Sequence, residues 1–328
     1  MIYVRVIHFA ATLSATGVAF FVALIAEPAF RGTGKDLPLA TVLWVRLVFL
    51  AWSSLALAVL SGAAWLLLIA AAMSDQPLPE VFTDGVVGTV LMQTGFGHAW
   101  LCRLVGACLL ALAFAVTLPA GRRGATWART LAVASAAAFA GTLAWSGHGA
   151  GGLGLAAIVH PAADVMHLIA AAAWVGALGP LALMLASAPP DAESIAIAHR
   201  AAVRFSALGI ASVATLLLTG VVNAGYLVGS FPALVGTDYG RLLLAKIALF
   251  FAMVAIAAVN RLRFTPQLLR AGTATGEFEA LRRLRRNAVM EVFAGAVIIG
   301  IVGVLGTQPP AIHQMRMSPD APMNHHVH

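Results

Sequence analysis

Three histidines, an aspartate and a methionine fall within residues 146–179: His148, His160, Asp164, Met166 and His167. Imidazole nitrogen and thioether sulfur are ligands for borderline and soft metal ions. Together they suit copper, and a thioether favours Cu(I) over Cu(II). All five sit in or beside apolar runs, where ionisable side chains are costly and are kept for function. Their spacing is helical. His160, Asp164 and His167 are four and three residues apart and share one helix face. Between the two imidazoles, Asp164 is placed to accept a ring N–H and fix the tautomer that offers the other nitrogen to a metal. Met166 lies on the adjacent face.

The elements that must carry these residues are membrane spans. The chain has 328 residues, 61% hydrophobic and 10% charged, against about 25% charged in a soluble domain. Eight apolar runs approach or exceed the roughly 20 residues that a span needs: 4–27, 43–72, 98–118, 127–146, 162–186, 204–228, 241–262 and 288–307. The first is too long for a signal-peptide core and lacks a clear cleavage site, so it reads as a retained span. The expected fold is all-α, an integral membrane bundle of eight transmembrane helices. It divides into 1–140 (helices 1–4), 141–310 (helices 5–8 with the preceding His-Gly loop) and a tail, 311–328. Cys102 and Cys108, six apart on one helix, point to different faces and make no disulfide framework. The net charge of +7 fits basic loops of a membrane protein, with no nucleic-acid partner. A glycine-rich phosphate loop, a GxSxG elbow and HExxH are all missing from the sequence, so it reads as a non-enzyme.

Basic residues set the expected orientation. Arg31, Lys35, Arg46, Arg122, Arg123, Arg129, Arg200, Arg204 and a run from Arg261 to Arg286 fall at one set of loops. The alternate loops 73–97, 147–161 and 229–240 carry no Lys or Arg. The positive-inside rule then places both termini outside, in the periplasm of a bacterial inner membrane. Leu281–Arg286 (LRRLRR) reads as the start of an interfacial helix on anionic membrane lipid.

With that orientation, His8, His98, His148, His160 and His167 gather at the outer rim from four different helices, and His199 alone lies inside. The tail, AIHQMRMSPDAPMNHHVH, adds His313, Met315, Met317, Met323, His325, His326 and His328, a composition that reads as metal capture. Lys246, one to two turns into helix 7, is expected to pair with Asp164 or to bind a carbonyl. Asn223 and Tyr226 approach the same rim. At the inner side Glu27 and Glu291 are expected to be offset by Arg46, Arg204 and Arg261 as structural ion pairs.

Several segments resemble the copper resistance protein D (CopD) family: SGH at 146–148, HPAADVMHLIAAAAWVGAL at 160–178 and RFSALGIASVATLLLTGVVNA at 204–224. TDYGRLLLAKIALF at 237–250, NRLRFTP at 260–266 and LRRLRRNAVMEVFAGAVII at 281–299 follow in order. Helices 1–3 match more loosely, chiefly through His8. The resemblance implies an inner-membrane protein of copper handling, working beside a small periplasmic copper carrier, CopC-like and here a separate partner.

Three functions stay open on the residues alone. The first is a copper transporter or membrane copper acceptor. The second is a b-type haem protein, with His8 and His167 as axial ligands if helices 1 and 5 are neighbours. The third is a membrane metalloenzyme with an open coordination position.

Overall fold

The computed structural model describes residues 1–33, 37–120, 126–146, 156–270 and 274–316. Among these residues there is no strand. Seven helices among the described residues are long and apolar enough to cross a membrane: α1 (Ile2–Ala29), α2 (Pro38–Ser74), α3 (Gly95–Leu118), α5 (Ala157–Ser187), α6 (Ala192–Leu227), α7 (Asp238–Leu269) and α8 (Thr275–Leu305). The remaining expected span, α4 (Thr126–Gly141), has 16 residues of α-helix and continues as a 3-10 turn over Thr142–Ser146.

Local chemistry fixes the helix ends. Pro38 opens α2, where a missing N–H costs nothing, and Asp75, at φ 53°, closes it in the left-handed region. Asp191 caps α6 by accepting from the Ser194 N–H at 2.8 Å, and Thr237 caps α7 through the Gly240 N–H at 3.0 Å. The Asp191 cap explains why α6 begins twelve residues before the expected 204: the added turns are polar enough to escape a hydropathy window. The run LRRLRR likewise differs from expectation. It is continuous with α8 rather than a separate interfacial helix, and Glu279 pairs with Arg282 at 2.8 Å and Arg283 at 2.9 Å along one face.

The bundle is organised around α1, which is 83% buried over its most apolar stretch, against 6% for α7. α1 packs on α2, α4, α5 and α8. Its contact with α5 is backbone on backbone. A Cβ on Gly17 would strike the carbonyl group of Gly176, and a Cβ on Gly176 would strike the Leu13 oxygen. Small residues let apolar helices approach this closely, and close approach maximises dispersion where no hydrophobic effect drives association.

Among the described residues, three helices contain a π turn: Val22–Ala26 in α1, Ala172–Gly176 in α5 and Asn260–Phe264 in α7. A proline follows each within four residues: Pro28, Pro180 and Pro266. Proline removes an N–H and crowds the carbonyl one turn back, and a local change of helix pitch accommodates both.

The segment between α2 and α3, expected from the sequence to be a loop without Lys or Arg, contains two short helices, Leu78–Thr83 and Val86–Gln93. Val81 and Val90 from them cover Trp65 and Trp100. The helix Ala311–Arg316 folds back so that Ala311 packs with Val228, Ala233 and Tyr239.

Candidate metal centre

α5 and α6 are consecutive and antiparallel, and three rungs join them at the end of the bundle holding the N-terminus of α1. His160 stacks on Tyr226, with ring centroids 4.9 Å apart and planes at 19°. Asp164 Oδ1 accepts from Asn223 Nδ2 at 2.7 Å. His167 Nδ1 lies 2.9 Å from Thr219 Oγ1. The helical face foreseen for His160, Asp164 and His167 therefore meets a matching face of α6.

The lowest rung settles a tautomer. The single hydroxyl proton of Thr219 goes to the Thr215 carbonyl at 2.6 Å. The hydroxyl must then accept from His167, so Nδ1 carries the ring proton and Nε2 keeps its lone pair. The task expected of Asp164 for this ring falls to Thr219, while Asp164 is held by Asn223. At the upper rungs His160 Nε2 and Asn223 Oδ1 are buried without a hydrogen-bond partner among the described residues. Buried polar atoms are nearly always satisfied, so these two are the unmet hydrogen-bonding positions of the ladder. Imidazole nitrogens, a carboxylate and an amide oxygen can all act as electron-pair donors.

Lys246 on α7 is within electrostatic reach of Asp164 and His167. It forms no ion pair with Asp164 within 4.0 Å. The direct pair expected from their similar depth is replaced by the Asn223–Asp164 hydrogen bond. Met166 is half exposed on the outside of α5 and does not join the ladder.

The other predicted residues are placed elsewhere. His8 is 1% exposed, and its Nδ1 lies 3.0 Å from the Ala58 carbonyl on α2 and 3.2 Å from Ser61 Oγ. A carbonyl only accepts, so Nδ1–H donates and Nε2 holds the lone pair, unpartnered. That ring sits 5.6 Å from Trp65 and 5.5 Å from Trp100. The guanidinium of Arg5 lies over Trp65 at 4.8 Å and that of Arg103 over Trp100 at 5.3 Å. Helices 1 and 5 are neighbours, as the haem reading requires, but His8 is anchored on α2 and His167 on α6. His98 is exposed and bonds the Met92 carbonyl at 3.2 Å. Among the described residues no three His, Cys, Asp or Glu side chains gather tightly enough to hold a metal. His148, Met317, Met323, His325, His326 and His328 lie outside the described residues, as do the side chains of His313 and Met315.

At the opposite end, the expected arginine offsets are rearranged. Glu27 pairs with Arg129 of α4 at 3.5 Å. Arg46 donates to Ser187 at 2.9 Å and Arg261 to Ser206 at 2.8 Å. Glu291 is bound by Asn260 at 2.9 Å, not by an arginine.

Thr219 is the residue that sequence reasoning overlooked. It stands four residues before Asn223 and seven before Tyr226, the same helical stripe as His160, Asp164 and His167. That matched stripe was the available signal.

A bundle of long apolar helices with imidazoles held between two of them defines a polytopic membrane protein. Comparison with known proteins narrows the class. A family model described as copper resistance protein D matches residues 199–305, and one described as copper resistance protein D-like, N-terminal domain, matches residues 1–158. The chain is 36% identical to a copper resistance protein D of Pseudomonas syringae pv. tomato, over 67% of this chain and 71% of that protein. It is 33% identical to the inner membrane protein YebZ of Escherichia coli, over 70% of this chain and 74% of that one. It is also 30% identical to the copper transport protein CutJ of Bacillus subtilis, over 55% of this chain and 33% of that one. No solved structure matches the chain. The chain belongs to the copper resistance protein D family. The N-terminal match spans α1–α4, where the residues by themselves carried only a loose resemblance.

Proposed function

We propose that this protein is a multi-pass protein of the bacterial inner membrane that binds copper between α5 and α6 and accepts it into, or moves it across, the bilayer. The observation that carries the reading is the pair of imidazoles on one face of α5. His167 Nε2 is left with its lone pair by the Thr219 anchor, and His160 Nε2 is buried and unpartnered. Two imidazole donors suit copper, and family membership supplies the metal. Asp164 offers a charge that offsets the ion, and Lys246 limits how much positive charge the site holds.

The chain crosses the membrane eight times in this reading, with both termini in the periplasm. α4 supplies the eighth crossing: 16 α-helical residues at 1.5 Å and five 3-10 residues at 2.0 Å give about 34 Å, enough for a core of about 30 Å. The ladder then faces the periplasm, where a separate CopC-like carrier and the Met- and His-rich tail would deliver the ion. The protein acts as a carrier or acceptor and not as an enzyme.

The test is purification without added metal, followed by copper titration. Stoichiometric copper that is lost in His160→Ala/His167→Ala supports the site. Retained binding and uptake in that double variant would remove it, and a Soret band in the purified protein would favour haem instead.

A further inference from the structure

At the arginine-rich end a second buried carboxylate has geometry that the copper site does not use. Glu291 on α8 is 2% exposed. Its Oε1 accepts from Asn260 Nδ2 at 2.9 Å, and Asn260 Oδ1 accepts from Asn287 Nδ2 at 2.8 Å. This chain of amides fixes the orientation of Asn260, so its NH₂ faces the carboxyl. The other oxygen, Oε2, is buried and has no hydrogen-bond partner among the described residues. No lysine or arginine lies within 4.0 Å of it among those residues. An ionised carboxylate in that position would be a buried charge with half its acceptor capacity unmet, which costs several kcal/mol in general. Asn260 begins the π turn of α7, so the hydrogen bond sits where the helix departs from regular pitch.

Glu291 and Asn260 line a cavity of about 360 Å³ walled by α5, α6, α7 and α8, with Trp174 and Phe205 among its apolar sides and Arg261 and Ser206 at the basic end. Among the described residues, Glu291 and Arg261 are the charged or titratable ones lining it, and α5 and α6 contribute none. The cavity therefore offers a buried acid at one side and a route toward the basic rim.

We propose that Glu291 is a proton-exchange site. Oε2 holds a proton while the cavity is empty. When a cation enters this half of the bundle the O–H bond breaks, its electron pair stays on the carboxylate, and the proton passes to water at the basic rim. Net charge in the cavity is then unchanged on loading a monovalent ion. The proton site stands apart from the copper reading; its coupling to copper rests on that reading.

Infrared difference spectroscopy on the full chain in lipid tests the first part without metal. A carbonyl stretch of a protonated carboxylic acid at neutral pH is expected in the wild type, lost in Glu291→Gln and retained in Glu27→Gln, whose carboxylate has Arg129. Asn260→Val, which keeps the acid and removes its donor, should shift the band. An unaltered band in both Glu291→Gln and Asn260→Val, or no such band in the wild type, overturns the site. Adding Cu(I) in weak buffer with a pH dye tests the coupling. Proton release in the wild type that falls several-fold in Glu291→Gln supports it, and undiminished release overturns it. A wild type that binds no copper but shows the Glu291 band would sink the copper reading and leave the proton site standing.

Discussion

The Thr219 hydroxyl accepts the Nδ1 proton of His167 at 2.9 Å because its own proton is already committed to the Thr215 carbonyl at 2.6 Å. A helix residue that bonds back to its own turn thus acts as a one-way acceptor for a neighbouring imidazole. Outer hydrogen bonds of this kind orient metal-ligating histidines and raise their basicity.

Replacing Thr219 by valine keeps the shape and removes the acceptor. Copper affinity of the α5 site should fall about 10–100-fold, the usual cost of losing such a partner. Thr219→Ser should retain most of it. Competition titration with a colorimetric Cu(I) chelator measures both. Equal affinities for the valine and serine variants would show that the hydroxyl does not position His167.

The α1–α5 crossing should be the least tolerant point of the bundle. Gly176→Ala places a Cβ against the Leu13 carbonyl oxygen, a backbone atom that has no rotamer to yield. Overpacking of this kind typically costs about 1–3 kcal/mol, and backbone collision puts this site at the upper end or beyond. Gly179→Ala, three residues on, meets nothing within 4 Å and should be neutral. Thermal unfolding in detergent separates the two. A Gly176→Ala variant as stable as Gly179→Ala would contradict the crossing.

These relationships divide between what the sequence makes visible and what it hides. The face shared by His160, Asp164 and His167 was legible because helical periodicity is a local property. Its partner stripe, Thr219, Asn223 and Tyr226, was only half legible: two members were noticed as polar, but which helix faces which is a tertiary fact. The three π turns leave no trace in hydropathy, although Pro28, Pro180 and Pro266 announce them once the pattern is known. The gathering of all rim histidines into one site was expected from segregation to one end. Segregation fixes depth and not rotation about the helix axis, and His8 is turned to α2 while His167 is turned to α6.

His8 should therefore behave as a structural residue. The guanidinium groups of Arg5 and Arg103 over the two tryptophans make its surroundings hostile to a further cation. His8→Ala should leave copper stoichiometry unchanged and lower stability by roughly 2–4 kcal/mol, chiefly from the cavity left beside Trp65 and Trp100. Loss of copper in a folded His8→Ala variant would restore His8 to the metal site.

The start of α6 offers a pH test outside the spans. The Ser194 N–H holds the Asp191 carboxyl below the usual carboxylate range. A depressed folded value means that the cap's stabilisation is complete above the unfolded value, about 3.9, and is lost as pH falls through the folded one. Asp191→Ala should cost about 0.5–2 kcal/mol at neutral pH, and the difference from wild type should vanish in acid. A gap between the two that persists or widens below that range would assign the stabilisation to something other than the cap.

Truncation can separate capture from binding if it is cut at the right place. Removing everything from Ala311 would also strip Ala311 from its packing with Val228, Ala233 and Tyr239, and Ile312 from its contact above Gly229. Such a deletion confounds metal loss with damage to the ends of α6 and α7. Ending the chain at Arg316 leaves that helix in place and removes Met317, Met323, His325, His326 and His328. The shortened protein should keep the copper stoichiometry of the α5 site and load more slowly, because tethered thioether and imidazole donors raise the local concentration of the ion near the rim. Stopped-flow transfer from a Cu(I) chelator reads the rate, and equilibrium titration reads the site. Unchanged loading would make the segment after Arg316 irrelevant to capture, and loss of all copper would place the binding site in that segment and not between α5 and α6.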